Sequence, residues 1–210
     1  MPQVKAHRHE EMFNSISHSI GAVLAVIGMV LLLSRNGHKT EYATLTIAIY
    51  SITLIAMFTV STAYHTTKNS RLKKKLRVLD HINIFFLIAG TYSPVALITL
   101  IHGNGWVIFY AVWTIAAVGT LFKFFYTGKY EFVSLLLYVA MGWLIVLDFD
   151  NLINHTSGLG VLLLFLGGGF YTLGILFYAL ERIPYHHFIW HLFVLAGALS
   201  HWLFMFLKVV

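Results

Sequence analysis

Apolar residues run along this chain in blocks of about 20, separated by short segments where charge and glycine collect. Seven blocks are long enough to cross a hydrocarbon core of about 30 Å as helices: residues 16–34, 43–65, 80–101, 105–126, 132–152, 159–180 and 187–207. An open sheet cannot satisfy its backbone in lipid, so the pattern predicts an all-α integral membrane protein. The connecting segments are short, so successive spans pack antiparallel in one seven-helix domain over residues 1–210. There is no internal repeat, linker or low-complexity stretch. The first block follows Lys5 and Arg8 as a secretory signal would, but SRNGHKT stands where a small-residue cleavage site is expected. Six further spans follow, and the first is expected to be retained.

Composition agrees with the pattern. With 59% hydrophobic and only 10% charged residues, and a mean hydropathy of +0.79, an ordinary soluble domain is excluded. The net charge of +6 would suit a nucleic-acid binder, but the basic residues fall mostly in the segments between spans, where membrane topology accounts for them. Lys5, Arg8, Lys68, Arg71, Lys73, Lys74, Lys75, Arg77, Lys123, Lys129 and Arg182 lie on one side; Arg35, Lys39 and Lys208 lie on the other. The positive-inside rule therefore predicts a cytoplasmic N-terminus and an external C-terminus. The run RLKKKLR at 71–77 reads as a topology-fixing loop resting on anionic headgroups. Gly167, Gly168 and Gly169 read as a place of close helix packing. The expected partners are membrane lipids and not nucleic acid; nothing in the sequence specifies an oligomeric state.

Cysteine is absent, which restricts any metal site to nitrogen and oxygen ligands. An ionisable side chain near mid-membrane costs at least about 2.5–3.5 kcal/mol, so each one within a span calls for a partner or a function. His65 ends the second predicted span, with Ser61 one turn earlier on the same face. Asp80 opens the third, and His187 and His191 form an HxxxH pair at the start of the seventh. Glu11, Asn14 and His18 precede and enter the first. With the spans alternating in direction, these groups from four helices fall in the same leaflet. Three imidazoles with a carboxylate nearby form the ligand set of a catalytic zinc site, where three protein ligands leave a fourth position for water. His65, His187 and His191 are the expected ligands, and Asp80 the group that orients or deprotonates the water.

The other histidines do not join this set. His7, His9, His38, His102 and His155 read as surface residues, and His81 and His186 point about 100° away from the ligand positions beside them. His201 stands ten residues beyond His191, roughly 15 Å along the helix, in the outer leaflet.

The order of ExxNxxSH at 11–18, SxxxH at 61–65, LD at 79–80 followed by GTYSP, and HHFIWHLFVLAGALSHW at 186–202 resembles the hemolysin III family. That family is the bacterial branch of the progestin and adipoQ receptors, in a larger group that includes alkaline ceramidases. The resemblance covers essentially the whole chain. It implies seven helices in a bacterial plasma membrane, a cytoplasmic N-terminus, and Zn2+ in the cytoplasmic leaflet held by His65, His187 and His191. It further implies Asp80 approaching through water and Ser61 beside the site. Glu11, Asn14 and His18 would support the ligands or pack helices. The long N-terminal region of the hormone receptors is missing, which weighs against receptor signalling.

Three functions follow as expectations. The first is a zinc-dependent hydrolase of a lipid amide or ester in the cytoplasmic leaflet, with Asp80 as general base and Ser61 as donor to the developing oxyanion. The second is a cytolysis-associated membrane protein, although no amphipathic pore-forming segment is present. The third is a ligand-sensing, receptor-like protein in which the zinc is structural. Transport ranks below these, because ionisable groups do not continue through the outer half of the spans.

Overall fold

The computed structural model describes residues 2–210, with side chains from His9 onward. The side chains of Lys5, His7 and Arg8 lie outside the described residues. The described chain is all helical and contains seven segments long and apolar enough to cross a membrane. Helix α1 spans Pro2–Arg35, α2 Ala43–Thr66, α3 Ser70–Pro94 and α4 Gly105–Tyr126. The fifth crossing is divided into α5 (Glu131–Gly142), a 3-10 segment (Leu144–Asp148) and α6 (Phe149–His155). Helix α7 covers Gly158–Ala179 and α8 His186–Phe204; α3 and α8 each run on into a π-helical turn.

Helices α1, α2, α3 and α4 pack in sequence, α7 lies along α8, and α8 returns to α1. At the centre is α3, with 72% of its apolar window buried against 17–44% in the other six crossings. Close approach of α2 and α3 requires Gly90, where a Cβ would overlap the Thr53 side chain. Apolar side chains such as Leu24, Val30, Val107 and Leu147 stay exposed on the outer surface. In a bilayer their neighbours are acyl chains, and burying them inside the protein brings no hydrophobic gain.

Three local features differ from the sequence expectation. The basic run 71–77 is helix and not loop: the Asn69 side chain accepts from the backbone N–H of Arg71 and Leu72, both at 3.0 Å, and starts α3 well before its apolar part. Helix α1 likewise begins well ahead of its apolar block, so Glu11, Asn14 and His18 all lie on one continuous helix. The fifth crossing breaks after Gly142, where Tyr92 of α3 serves the freed backbone groups. Its hydroxyl donates to the Gly142 carbonyl at 2.8 Å and accepts from the Ile145 N–H at 2.9 Å. Irregular backbone at membrane depth is tolerated where protein groups satisfy it in this way.

Candidate metal centre

The end of the bundle nearest the N-terminus gathers the polar residues. His65, in the last turn of α2, meets His187 and His191, one turn apart in the first turns of α8. One ring nitrogen from each lies within 4.8 Å of the others, close enough for a single ion at about 2.0–2.1 Å from each after small ring rotations. Ring centroids are 4.9–5.2 Å apart among the three. His65 and His191 are buried.

Helix α1 braces all three of these histidines. The Glu11 carboxylate accepts from Nδ1 of His65 at 3.2 Å and from Lys73 Nζ at 2.8 Å. The Asn14 carbonyl faces Nδ1 of His191 at 3.3 Å, with the Ser17 hydroxyl at 3.4 Å. These bonds occupy Nδ1 and leave Nε2 of His65 and of His191 for a ligand, as second-sphere hydrogen bonds do in metal sites. Glu10 Oε1 accepts the backbone N–H of His187 at 3.0 Å. It thereby satisfies an open amide at the start of α8, where Tyr185 at φ 57° provides no side-chain cap. His18 stacks on His191, with ring centroids 3.6 Å apart and planes 13° from parallel.

Ser61, Asp80, His187 and His191 line one cavity of about 30 Å³, room for a water molecule or two. A cation fits this donor set on the structure's own terms. Eleven buried side-chain nitrogen or oxygen atoms lack a hydrogen-bond partner among the described residues, and five of them belong to Asn14, His18, His65 and Asp80. Buried polar atoms without partners are rare, and here they collect where an ion and its water would satisfy them.

The structure thus brings together His65, His187 and His191 as a group that can hold a metal ion, with Ser61 and Asp80 beside it. Glu11, Asn14 and His18 fall on the α1 face that supports it. Sequence reasoning missed Glu10, although the EE doublet at 10–11 sits one helical turn ahead of Asn14 and on the same stripe. It also treated Lys123 as a charge in a connecting segment. Lys123 is completely buried and pairs with Glu131, whose other oxygen accepts the Gly128 N–H at 2.8 Å. His81 places Nδ1 3.6 Å from the same carboxylate, and, contrary to the sequence expectation that it faces elsewhere, both His81 and Glu131 line the small cavity together with His187 and His191.

His201 lies far from this centre, and its Nε2 donates to the Leu164 carbonyl of α7 at 3.1 Å. It borders a second, apolar cavity of about 90 Å³ between α3, α5, α7 and α8. Met57, Ile84, Tyr138 and Trp190 form walls of both this chamber and the small polar cavity, so the two adjoin.

Comparison with known proteins adds a family. The family model described as "Haemolysin-III related" matches residues 6–202. "Hemolysin-3" of Bacillus cereus is 37% identical over 190 residues, covering 90% of this chain and 87% of that protein. The "Hemolysin-3 homolog" of Bacillus subtilis (strain 168) is 35% identical, covering 90% and 89%. "Monocyte to macrophage differentiation factor" of Homo sapiens is 33% identical over 202 residues, covering 92% and 82%. No solved structure matches the chain.

Proposed function

The chain belongs to the haemolysin III family of multi-pass membrane proteins, and from that premise we propose that it is a zinc-dependent hydrolase acting on a lipid amide or ester in the cytoplasmic leaflet. The N-terminal end of the bundle, with the larger share of Lys and Arg, is the cytoplasmic one. Zinc is the metal that suits three neutral imidazoles with no thiolate and an open fourth position. Bound there, it supplies a Lewis acid for a carbonyl oxygen and lowers the pKa of water toward about 7.

The chain's own residues provide the rest. Asp80, with Oδ1 buried and without a partner among the described residues, takes the proton released as water attacks the carbonyl carbon, and returns it to the leaving amine or alcohol. Ser61, on the wall of the same cavity, donates to the oxygen on which negative charge develops. Glu11 and the Asn14 carbonyl hold the His65 and His191 rings in one tautomer.

The observation that carries this reading is the shared wall between the polar cavity and the apolar chamber. A hydrolytic centre that adjoins an apolar chamber within the bilayer fits a substrate whose reacting carbonyl is attached to a hydrocarbon chain. Cytolysis, which the names of the Bacillus relatives suggest, is then a consequence of altered lipid composition when the protein is overproduced.

Lipid profiles of membranes from cells producing the wild type or His65→Ala test the reading. A lipid amide or ester should fall, and its fatty acid rise, only with the wild type. Purified His191→Ala should lose both zinc and turnover. Turnover that survives without zinc, or identical lipid profiles, would refute the hydrolase.

A further inference from the structure

We infer that His18 is a catalytic residue that hydrogen-bonds the ligand in the open coordination position, and not a packing histidine of α1. The inference rests on the reading of the three histidines as an open metal centre.

Four observations carry it. His18 is almost wholly buried, at 1% exposure, and its ring lies flat on that of His191 at 3.6 Å. It borders the same cavity as Ser61, Asp80, His187 and His191. Both of its ring nitrogens are buried and have no partner among the described residues. Asn14, one turn before it on the same face, also has its side-chain oxygen buried without a partner.

Packing does not account for this arrangement. The contacts that His18 makes, a stack on His191 and an edge against Phe58, would be made equally well by phenylalanine. Phenylalanine would make them without two buried nitrogens that, left unpaired, each carry an uncompensated desolvation cost. Direct ligation is not indicated either, because the described ligand group comprises the other three histidines.

A ring stacked in parallel on a ligand imidazole has its edge beside whatever that ligand holds. One His18 nitrogen can therefore reach a water or carbonyl oxygen at the open position while the other, with Asn14, holds a second water. Neutral imidazole offers one donor and one acceptor: the N–H at the open position donates to the water or carbonyl oxygen there, and the other nitrogen accepts from the second water. Ser61 and His18 would grip the reacting oxygen from α2 and α1.

The test uses cobalt as a spectroscopic metal and acetohydroxamate, a carbonyl-bearing anion that seeks metals, as the probe. Full-length protein in phosphatidylcholine nanodiscs is loaded with Co2+, and acetohydroxamate is titrated while the visible Co2+ bands are followed. His18→Phe, which keeps the stack and the burial, should retain one cobalt per chain and bind acetohydroxamate at least about tenfold more weakly than the wild type, as expected for loss of one hydrogen bond to a charged ligand. Either His18→Gln or His18→Asn, whichever places its amide at the nitrogen in use, should recover most of that loss.

Equal acetohydroxamate affinity in the wild type and His18→Phe overturns the inference. Loss of cobalt from His18→Phe also overturns it, because His18 would then be a ligand or a scaffold. If the Phe variant does not fold, unequal acetohydroxamate affinities of the Gln and Asn variants support the inference and equal affinities overturn it. A wild type that takes up no cobalt overturns this inference together with the metal centre. Cobalt uptake and His18-dependent acetohydroxamate binding without turnover of any lipid would overturn the hydrolase alone.

Discussion

Glu11 of α1 accepts a hydrogen bond from Nδ1 of His65 of α2 at 3.2 Å and is itself held by Lys73 at 2.8 Å. The carboxylate fixes the tautomer of the ring and presents Nε2, buried and without a partner among the described residues, to the centre. Partners of this kind are worth roughly 10–100-fold in metal affinity. Glu11→Gln should therefore weaken Zn2+ binding by roughly that factor while leaving the fold intact. Competition with a chromophoric chelator measures it, and an unchanged affinity would mean that something else orients His65.

The pair formed by Lys123 of α4 and Glu131 of α5 is expected to hold the turn between these helices. Lys123 is completely buried, and the side chain of Glu131 is 27% exposed. Removing one partner of a buried pair costs roughly 3–5 kcal/mol because the other charge is left uncompensated, whereas replacing both with apolar residues costs far less. Lys123→Met should fall near about 3 kcal/mol, the lower end, since Glu131 keeps some contact with water. The Lys123→Met/Glu131→Leu double variant should unfold closer to the wild type than Lys123→Met does. Thermal unfolding in detergent micelles decides it: strictly additive losses would show that the two side chains are not coupled.

The glycine run in α7 separates into positions with different tolerances. A Cβ on Gly167 would overlap the His201 ring, which is held in place by its bond to the Leu164 carbonyl, while a Cβ on Gly169 would meet nothing within 4 Å. Gly167→Ala should destabilise by about 1–3 kcal/mol through overpacking. Gly169→Ala should be neutral or stabilise by roughly 0.5–1 kcal/mol, because alanine loses less backbone entropy in a helix. Parallel melting curves of the two variants provide the check, and equal losses would contradict the close approach at Gly167.

These residues also mark what can be read from sequence. Seven crossings were legible because an apolar run of about 20 residues has few other uses. The three histidines were legible because alternating spans place His65, His187 and His191 at one depth. Close packing by glycine was legible as a tendency, but within the run 167–169 Gly167 alone is in tight contact with a neighbouring helix; a Cβ on Gly169 would meet nothing within 4 Å. Lys123 was misread because a charge next to a turn resembles a topology signal, and its partner Glu131 becomes visible only when α4 and α5 are folded together. The break after Gly142 was hidden for a similar reason. The hydroxyl that satisfies it comes from Tyr92, 50 residues away along the chain. Glu10 shares the stripe of Asn14, but its partner is the backbone N–H of His187 on α8, which becomes visible only when α1 and α8 are folded together.

The placement of the three histidines makes metal removal a test of the fold as well as of the site. His65 is on α2, and His187 and His191 are on α8. Each of these helices packs on α1, which lies between them. An ion bound by all three histidines would tie α2 to α8 directly and close the ring of helices around α1. A ligand present at 100 times its dissociation constant stabilises the folded state by about 2.7 kcal/mol. Chelation of the wild type in detergent should therefore lower the unfolding midpoint by several degrees, and added Zn2+ should restore it. His191→Ala should melt near the chelated wild type and respond to neither treatment. Hydrogen exchange should locate the loss at the N-terminal ends of α1 and α8 and at the C-terminal turn of α2, leaving α3 and α4 protected. An unfolding midpoint that ignores both chelation and zinc would show that no ion joins the three helices.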